Sequence, residues 1–306
     1  MNTIMLYCLI GVLSASLLVI IVSYYLGQYV YSLKSLGSIP FINNTANIGW
    51  IQKQPEQESF SFLVVGDIQS GHLNLSRQIL APAKNTCAFA VQTGDLVSHA
   101  DSGHYALALY ELKKSSLGIP LFVIPGNHDL KGNPGLFETY FRLKQFFFTW
   151  SNCLFIFLDN ALGAPYDRLF AWLEKILEKY QGKVRRTFIF IHRPPIDWEH
   201  GEPRPEMKNY SRFFELQKQF RIDYVFSGHL HDYRELELNG TTYIANGLES
   251  DQKGRASNES FVTTVHVLPD IVITKQVTIT PSFIDTVLGR ITDSLVAHVY
   301  PSLRLS

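Results

Sequence analysis

The sequence predicts an α/β fold in which helices pack outside sheets, and three observations predict it. Short apolar runs recur from Phe60 onward ("SFLVV", "CAFAVQ", "LFVIP", "CLFIFL", "TFIFI", "DYVF") and alternate with helix-like stretches; strands separated by helices make layered α/β architectures. The clearest helix, Tyr166–Tyr180, lines Leu169, Trp172, Leu173, Ile176 and Leu177 along one face, the spacing of an amphipathic helix. Beyond it, "ELELNGTTYIA" places Asn239-Gly240 between alternating runs, a strong hairpin signal. With "SFVTTVHVL" and "DIVITKQVTI" following, the end of the domain is expected to turn antiparallel.

In chain order, the first element is an uncharged run, Ile4–Leu26, and the first Lys or Arg is Lys34. At about 1.5 Å per residue the run covers roughly 34 Å, enough for a hydrocarbon core of about 30 Å. Tyr24, Tyr25, Tyr29 and Tyr31 gather at its far end, where an interfacial aromatic belt would lie. Residues 1–31 are therefore expected to be a transmembrane anchor, or a signal segment that stays uncleaved. Ser35-Leu36-Gly37 offers a small-x-small cleavage site, while no basic stretch precedes the apolar run. The expected location is a membrane, single-pass. Its sidedness is open, because Lys34 favours a cytoplasmic domain and five sequons (Asn43, Asn74, Asn209, Asn239, Asn258) lean the other way.

Residues 32–59 show no sustained periodicity and read as a tether, followed by the main domain over 60–280. The tail, 281–306, holds an amphipathic helix with Ile284, Val287, Leu288, Ile291, Leu295 and Val299 as its apolar stripe. Ser282 and Asp285 resemble a helix-start capping pair, and the helix is expected to pack on the domain. The chain has 306 residues, 46% hydrophobic and 18% charged with zero formal net charge. That balance gives no basic footprint for a phosphate backbone, so nucleic acid is disfavoured as a partner. Cys8, Cys87 and Cys153 fall in apolar runs at no metal-like spacing and read as small buried hydrophobes.

Chemistry gathers at the strand ends. "FLVVGDIQSG" closes a strand with Asp67 and Gln69, "FAVQTGDLVS" with Asp95, and "LFVIPGNHDL" with Asn127, His128 and Asp129. "TFIFIHRPP" closes another with His192, and "DYVFSGHLHD" with His229 and His231. Each alone is ordinary turn chemistry. Five together, at the strand ends where ligands collect in α/β sheets, need a cation to offset the cost of burying so many polar groups.

The set "GDIQ", "GDLV", "GNHD", "HRPP" and "GHLH" resembles the calcineurin-like metallophosphoesterase superfamily over about residues 60 to 270. The resemblance implies a two-sheet β-sandwich flanked by helices, four layers in all, with two divalent metal ions at one edge. It implies Asp67, Gln69, Asp95 and His231 at the first metal. Asp95 as a bridge, Asn127, His192 and His229 would hold the second. It makes 60–280 the catalytic domain. His128 would stabilise or protonate the reacting phosphate, oriented by Asp129. The expected reaction is hydrolysis of phosphate mono- or diesters, in which two clamped cations hold a bridging hydroxide in line with the leaving group.

Where many members carry Asp-x-His, this chain has Asp67-Ile68-Gln69. An amide oxygen favours Mn²⁺, with Mg²⁺, Fe or Zn²⁺ as the other candidates. Arg193 is a candidate grip for a phosphate oxygen, and His99 a second candidate substrate contact. His72, His99 and His104 flank the first two motifs and are read mainly as outer partners. Residues 193–208 read as a rim loop. The competing readings are a catalytically weak metal-binding scaffold, with Gln69 marking decay, and a nuclease of the same superfamily.

Overall fold

The computed structural model describes residues 3–34, 39–162, 166–198, 202–203, 207, 209–247 and 260–299. Met1–Ile39 and Pro40–Ser306 are two compact units. The first is a helix, α1 (Thr3–Lys34), whose described side chains, residues 5–21, 23 and 24, are all exposed. Cys8 is among them, so only Cys87 and Cys153 are buried as expected. Among the described residues no helix is long and apolar enough to cross a membrane. The expected transmembrane helix is therefore not carried by the structure.

The second unit begins inside the stretch read as a tether. Helix α2 (Asn44–Ile51) is capped by Asn43, whose side-chain oxygen accepts from Ala46 N at 3.1 Å. Its Asn44 is fully buried: the amide donates to Val123 O at 2.8 Å and its oxygen accepts from Val123 N at 3.0 Å. Asn47 donates to Leu121 O at 2.9 Å. Two asparagines thus satisfy a sheet edge that would otherwise present unpaired backbone groups. A helix that buries amides shows no apolar period, which is why this stretch reads as a tether.

Strand β1 (Phe60–Val65) leads into an irregular helical passage: a turn at Gln69–Gly71, α3 (His72–Asn74), Leu75–Leu80 and α4 (Ala81–Ala83). Then come β2 (Phe89–Gln92), α5 (Ser102–Ser115), β3 (Leu121–Val123), α6 (Asn127–Leu130) and α7 (Gly135–Phe141). The second half runs through β4 (Phe146–Trp150), β5 (Cys153–Phe157), α8 (Tyr166–Tyr180), β6 (Arg186–Phe190), β7 (Ile196–Asp197), β8 (Glu202–Pro203) and α9 (Tyr210–Gln219). It closes with β9 (Tyr224–Ser227), β10 (Arg234–Leu238), β11 (Thr241–Ala245), β12 (Ser260–Val267), β13 (Val272–Ile279) and α10 (Phe283–Val299). The α8 boundaries match the predicted helix. The β10–β11 hairpin turns on Asn239 and Gly240, with φ of 52° and 76°, the left-handed pair that such turns require.

The larger strands form two mixed sheets, ordered β13-β12-β1-β2-β3 and β10-β11-β9-β6-β5-β4. In the first, β1, β2 and β3 are parallel and β12–β13 run antiparallel beside them; in the second, β11, β9, β6 and β5 are parallel. The sheets face each other across aromatic side chains. Phe62 meets Phe188 edge-on at 5.4 Å, and Phe89 meets Phe155 at 5.3 Å. Every such ring is fully buried, each worth about 1.5–3 kcal/mol of burial. Alternation along β5 sends Phe155 and Phe157 into this core and Leu154 and Ile156 to the other face, under α8 and α9. The expected flanked two-sheet architecture is the one observed.

Within the second unit, helix α10 packs against the passage after β1 and against the Ser98 loop, with Ser282 Oγ accepting from Asp285 N at 3.3 Å as the capping pair predicts. The face it uses is the reverse of the one expected. Of the expected stripe, Ile284, Val287, Leu288 and Ile291 are exposed, Leu295 is half-buried and the Val299 side chain lies outside the described residues, whereas Asp285 and Val296 are buried and Thr292 and Asp293 half-buried. Specific polar contacts fix this orientation: Asp285 pairs with Arg77 at 2.6 Å, and Ser282 N donates to Asn74 Oδ1 at 3.2 Å. Asn74, one of the five sequons, is consequently buried.

Candidate metal centre

The parallel strands of both sheets deliver their carboxyl ends to the site. Asp67 and Gln69 follow β1, Asp95 follows β2, Asn127 and His128 follow β3, His192 follows β6, and His229 and His231 follow β9. The backbone there is bent hard. Asp67, Gln69, Asp95, His229 and His231 have φ of 51°, 42°, 56°, 73° and 52°, the left-handed region that side chains avoid at a cost on the order of 1–3 kcal/mol each. Five such residues gather at the strand ends. The glycines of the motifs make room. A Cβ on Gly94 would lie 2.5 Å from His192 Nδ1, and one on Gly126 would collide with the Asp95 carboxylate.

Asp95 is buried and its Oδ1 accepts from His128 N at 2.8 Å. Asp67 is fully buried, and both its oxygens accept from His229 N at 2.9 Å. Burial first, and then the Asp95 charge, push the Asp67 carboxyl well above the usual range. Two buried carboxylates side by side need a compensating positive charge.

His192 shows what kind. Its Nδ1 lies 2.9 Å from Thr93 O; a carbonyl only accepts, so Nδ1 carries the proton. Its Nε2 then faces Asn127 Oδ1 at 3.1 Å and Asp95 Oδ2 at 3.6 Å. Burial holds the imidazole below its ordinary value, so Nε2 carries no second proton and its lone pair converges with two oxygen acceptors. The donor set fits a cation there. Ligand atoms of Asp95, His192 and His229 lie within 4.8 Å of one another, as do those of Asp67, Asp95 and His231. Asp95 belongs to both groups. Gln69 sits alongside, its backbone N donating to Asp95 O at 3.1 Å.

The remaining candidates are placed as follows. His128 is half-buried, and its Nδ1 lies 2.7 Å from Ser98 O, so Nδ1 carries the proton and Nε2 points elsewhere. Asp129 does not orient it, contrary to expectation. Its oxygens are taken by Val97 N at 3.0 Å and Gly126 N at 2.8 Å, and burial raises its carboxyl to about 7. Arg193 reaches the rim, with Nη1 3.0 Å from His229 Nε2 and Nε donating to Ala161 O at 3.0 Å. Burial, then His192 and Arg193, depress His229 to about 3. His99 is exposed beside Ser98. His72 and His104 are both buried, and burial depresses His72 to about 4. The rim loop 193–208 lies partly outside the described residues.

Sequence reasoning missed Asn160, which follows β5. It is fully buried; its oxygen accepts from His192 N at 2.9 Å and Arg193 N at 3.1 Å, and its amide donates to Arg193 O at 2.7 Å. The one available signal was its place after the apolar run "CLFIFL".

A sandwich that brings two overlapping oxygen-and-imidazole pockets to the strand ends defines a class of metal-site α/β proteins. Residues 60–233 match the calcineurin-like phosphoesterase family, and the chain belongs to it. It is 28% identical over 185 residues to the glycerophosphodiester phosphodiesterase GpdQ of Enterobacter lignolyticus (strain SCF1), covering 54% of this chain and 63% of that protein. The chain spans less than two thirds of the length of the curated relatives it matches. Among solved structures it is similar to GAP50, the anchor in the inner membrane complex of Plasmodium. That match has a TM-score of 0.58 and 16% identity, over 77% of this chain and 95% of that one. A dimetal phosphatase from Danio rerio gives 0.56 and 15%, over 73% and 99%. At such identities the likeness to the two structures shows the fold.

Proposed function

We propose that this chain is a dinuclear metal-dependent phosphoesterase, with Asp67, Gln69, Asp95 and His231 holding one ion and Asp95, Asn127, His192 and His229 the other. The observation that carries the reading is the unprotonated His192 Nε2 facing Asn127 Oδ1 and Asp95 Oδ2. Two divalent ions bound there supply Lewis acidity and an activated water. The protein's part is to hold that water's target. Asp95 spans both pockets. His128 is held through its Nδ1–H on Ser98 O; to protonate the leaving oxygen it would act as the imidazolium, giving up a second proton from Nε2 and returning to the Nδ1–H tautomer. Arg193 offers its guanidinium to a phosphate oxygen at the rim. No side chain needs to form a covalent intermediate.

The named activity of the bacterial relative supports diesters as the substrate class. Mn²⁺ is the first ion to test, because an amide oxygen at position 69 suits a harder cation. Bis(p-nitrophenyl) phosphate and p-nitrophenyl phosphate, each with added Mn²⁺, Mg²⁺, Zn²⁺ or Fe²⁺, test the reading. Expected is metal-dependent turnover faster on the diester, abolished by chelation. A fully loaded protein without turnover on either ester would instead establish the scaffold reading. Tethering of the domain to a membrane by α1 is proposed from the uncharged run Ile4–Leu26 and the exposed apolar side chains of α1. Its test is retention of the full chain in membranes after alkaline carbonate washing; release into the wash would exclude it.

A further inference from the structure

We infer that Asp293, on α10 and outside the family-matched span, is a positioning residue that acts through Ser98 to fix the imidazole of His128. The inference rests on the role proposed above for His128. Ser98 Oγ donates to the Asp293 carboxylate, with both oxygens at 2.8 Å, while the backbone oxygen of the same Ser98 accepts from His128 Nδ1 at 2.7 Å. One residue therefore joins the C-terminal helix to the reacting imidazole.

The loop that carries Ser98 is held on two sides. Its Val97 N donates to Asp129 at 3.0 Å, and its Ser98 side chain is held by Asp293. Asp129 does not orient His128, because the His128 Nδ1–H goes to Ser98 O while the Asp129 oxygens accept from backbone donors. The direction of the Ser98 carbonyl is thus what selects the His128 tautomer, and Asp293 is the side chain that sets it. Asp293 also lies 3.8 Å from His104 Nε2, and His104 is tied in turn to Asp101 at 2.7 Å. Helix α10 can serve as a fixed reference because Asp285 is paired with Arg77. It also approaches the Gln69–Gly71 turn so closely that a side chain at Gly289 would strike Ser70 O. A helix tail with an outward apolar stripe would otherwise have no reason to turn Asp285, Thr292 and Asp293 inward.

The test uses the full chain in detergent, labelled with ¹⁵N at histidine and kept metal-free, with His128 assigned by the signals lost in His128→Ala. The wild type should show His128 in one tautomer with Nδ1 protonated. Asp293→Ala and Ser98→Ala should each give a mixture of tautomers, and Asp293→Asn, whose amide oxygen still accepts from Ser98, should retain most of the single form. With Mn²⁺ and the diester, Asp293→Ala should lower kcat by up to about a hundredfold, the scale of a misplacement of a catalytic group by about 1 Å. KM and metal content should hold, and the same change should add nothing in a His128→Ala background. An unaltered His128 tautomer in both Asp293→Ala and Ser98→Ala would overturn the inference, as would an equal loss of kcat in both backgrounds. Absence of any esterase activity in the wild type would defeat the proposed function alone, since the tautomer measurement would still decide whether Asp293 positions His128.

Discussion

The two halves of the site share Asp95 but are built to different tolerances. His192 is fully buried, its ring locked by Thr93 O and its backbone by Asn160. The other half relies on His231, whose side chain is 19% exposed, and on Gln69, an uncharged donor. Its Asp67, Gln69 and His231 all hold left-handed backbone. Left-handed backbone is common to both halves, since Asp95 and His229 hold it as well. What separates them is the locked, fully buried His192 on one side and the uncharged Gln69 with a partly exposed His231 on the other. On the proposed assignment this looser side depends more on the ion it binds. On the same assignment, the difference predicts that selection of the metal resides in the looser half.

The largest effect should come from removing what the halves share. Asp95→Asn replaces the only carboxylate common to both pockets by a neutral amide. Turnover on the diester should fall by well over the roughly hundredfold that loss of an outer partner costs, and metal analysis should find fewer than two ions per chain. Near-normal turnover with two ions bound would show that the halves are independent.

Much of this was legible in the sequence, for a physical reason. Asp67, Asp95, Asn127, His192, His229 and His231 are ligand-type residues that interrupt apolar runs, and most have a glycine close by. A buried strand has no structural use for such an ending. Ser98 and Asn160 were not legible, because a hydroxyl or amide that works through the backbone has no characteristic spacing. Asp129 was misread for the complementary reason: adjacency to His128 suggested contact, but backbone N–H groups fill its carboxylate. Periodicity predicted that α10 is amphipathic but not which face docks, since ion pairing with Arg77 and bonding to Ser98 outweighed the apolar stripe.

The next effect separates the halves. His231→Ala leaves the first ion with Asp67, Gln69 and the shared Asp95, a set without imidazole. His229→Ala leaves the second ion His192, Asn127 and Asp95, with the locked imidazole intact. His231→Ala should fall to about one ion per chain under mild chelation, while His229→Ala keeps more of its second ion and recovers in part with excess Mn²⁺. Equal retention of both ions by the two variants would erase the distinction between a rigid and a loose half.

A smaller loss should follow Asn160→Ala. The change touches no ligand atom but frees the backbone of His192 and Arg193. Outer partners of this kind typically contribute about 10–100-fold in affinity or activity, so metal titration should show the second ion weakened within that range. If the first ion weakened instead, the rigidity ascribed to the His192 half would be misplaced.

The smallest and most informative change is Gln69→His. It adds a second imidazole to the looser half at a position whose backbone is already fixed, through Gln69 N donating to Asp95 O at 3.1 Å. Nitrogen is a softer donor than an amide oxygen, so the first ion should bind more tightly and preference should move from Mn²⁺ toward Zn²⁺ or iron. Turnover should change little, because Asp95 and His128 are untouched. The left-handed φ of 42° at this residue is retained by the loop rather than by the side chain, so histidine meets the same strain as glutamine. Competition between Mn²⁺ and Zn²⁺ for the protein, read by metal analysis after dialysis, gives the answer. An unchanged order of preference would mean that residue 69 does not reach the first ion, and that the looser half is held by Asp67, Asp95 and His231 alone.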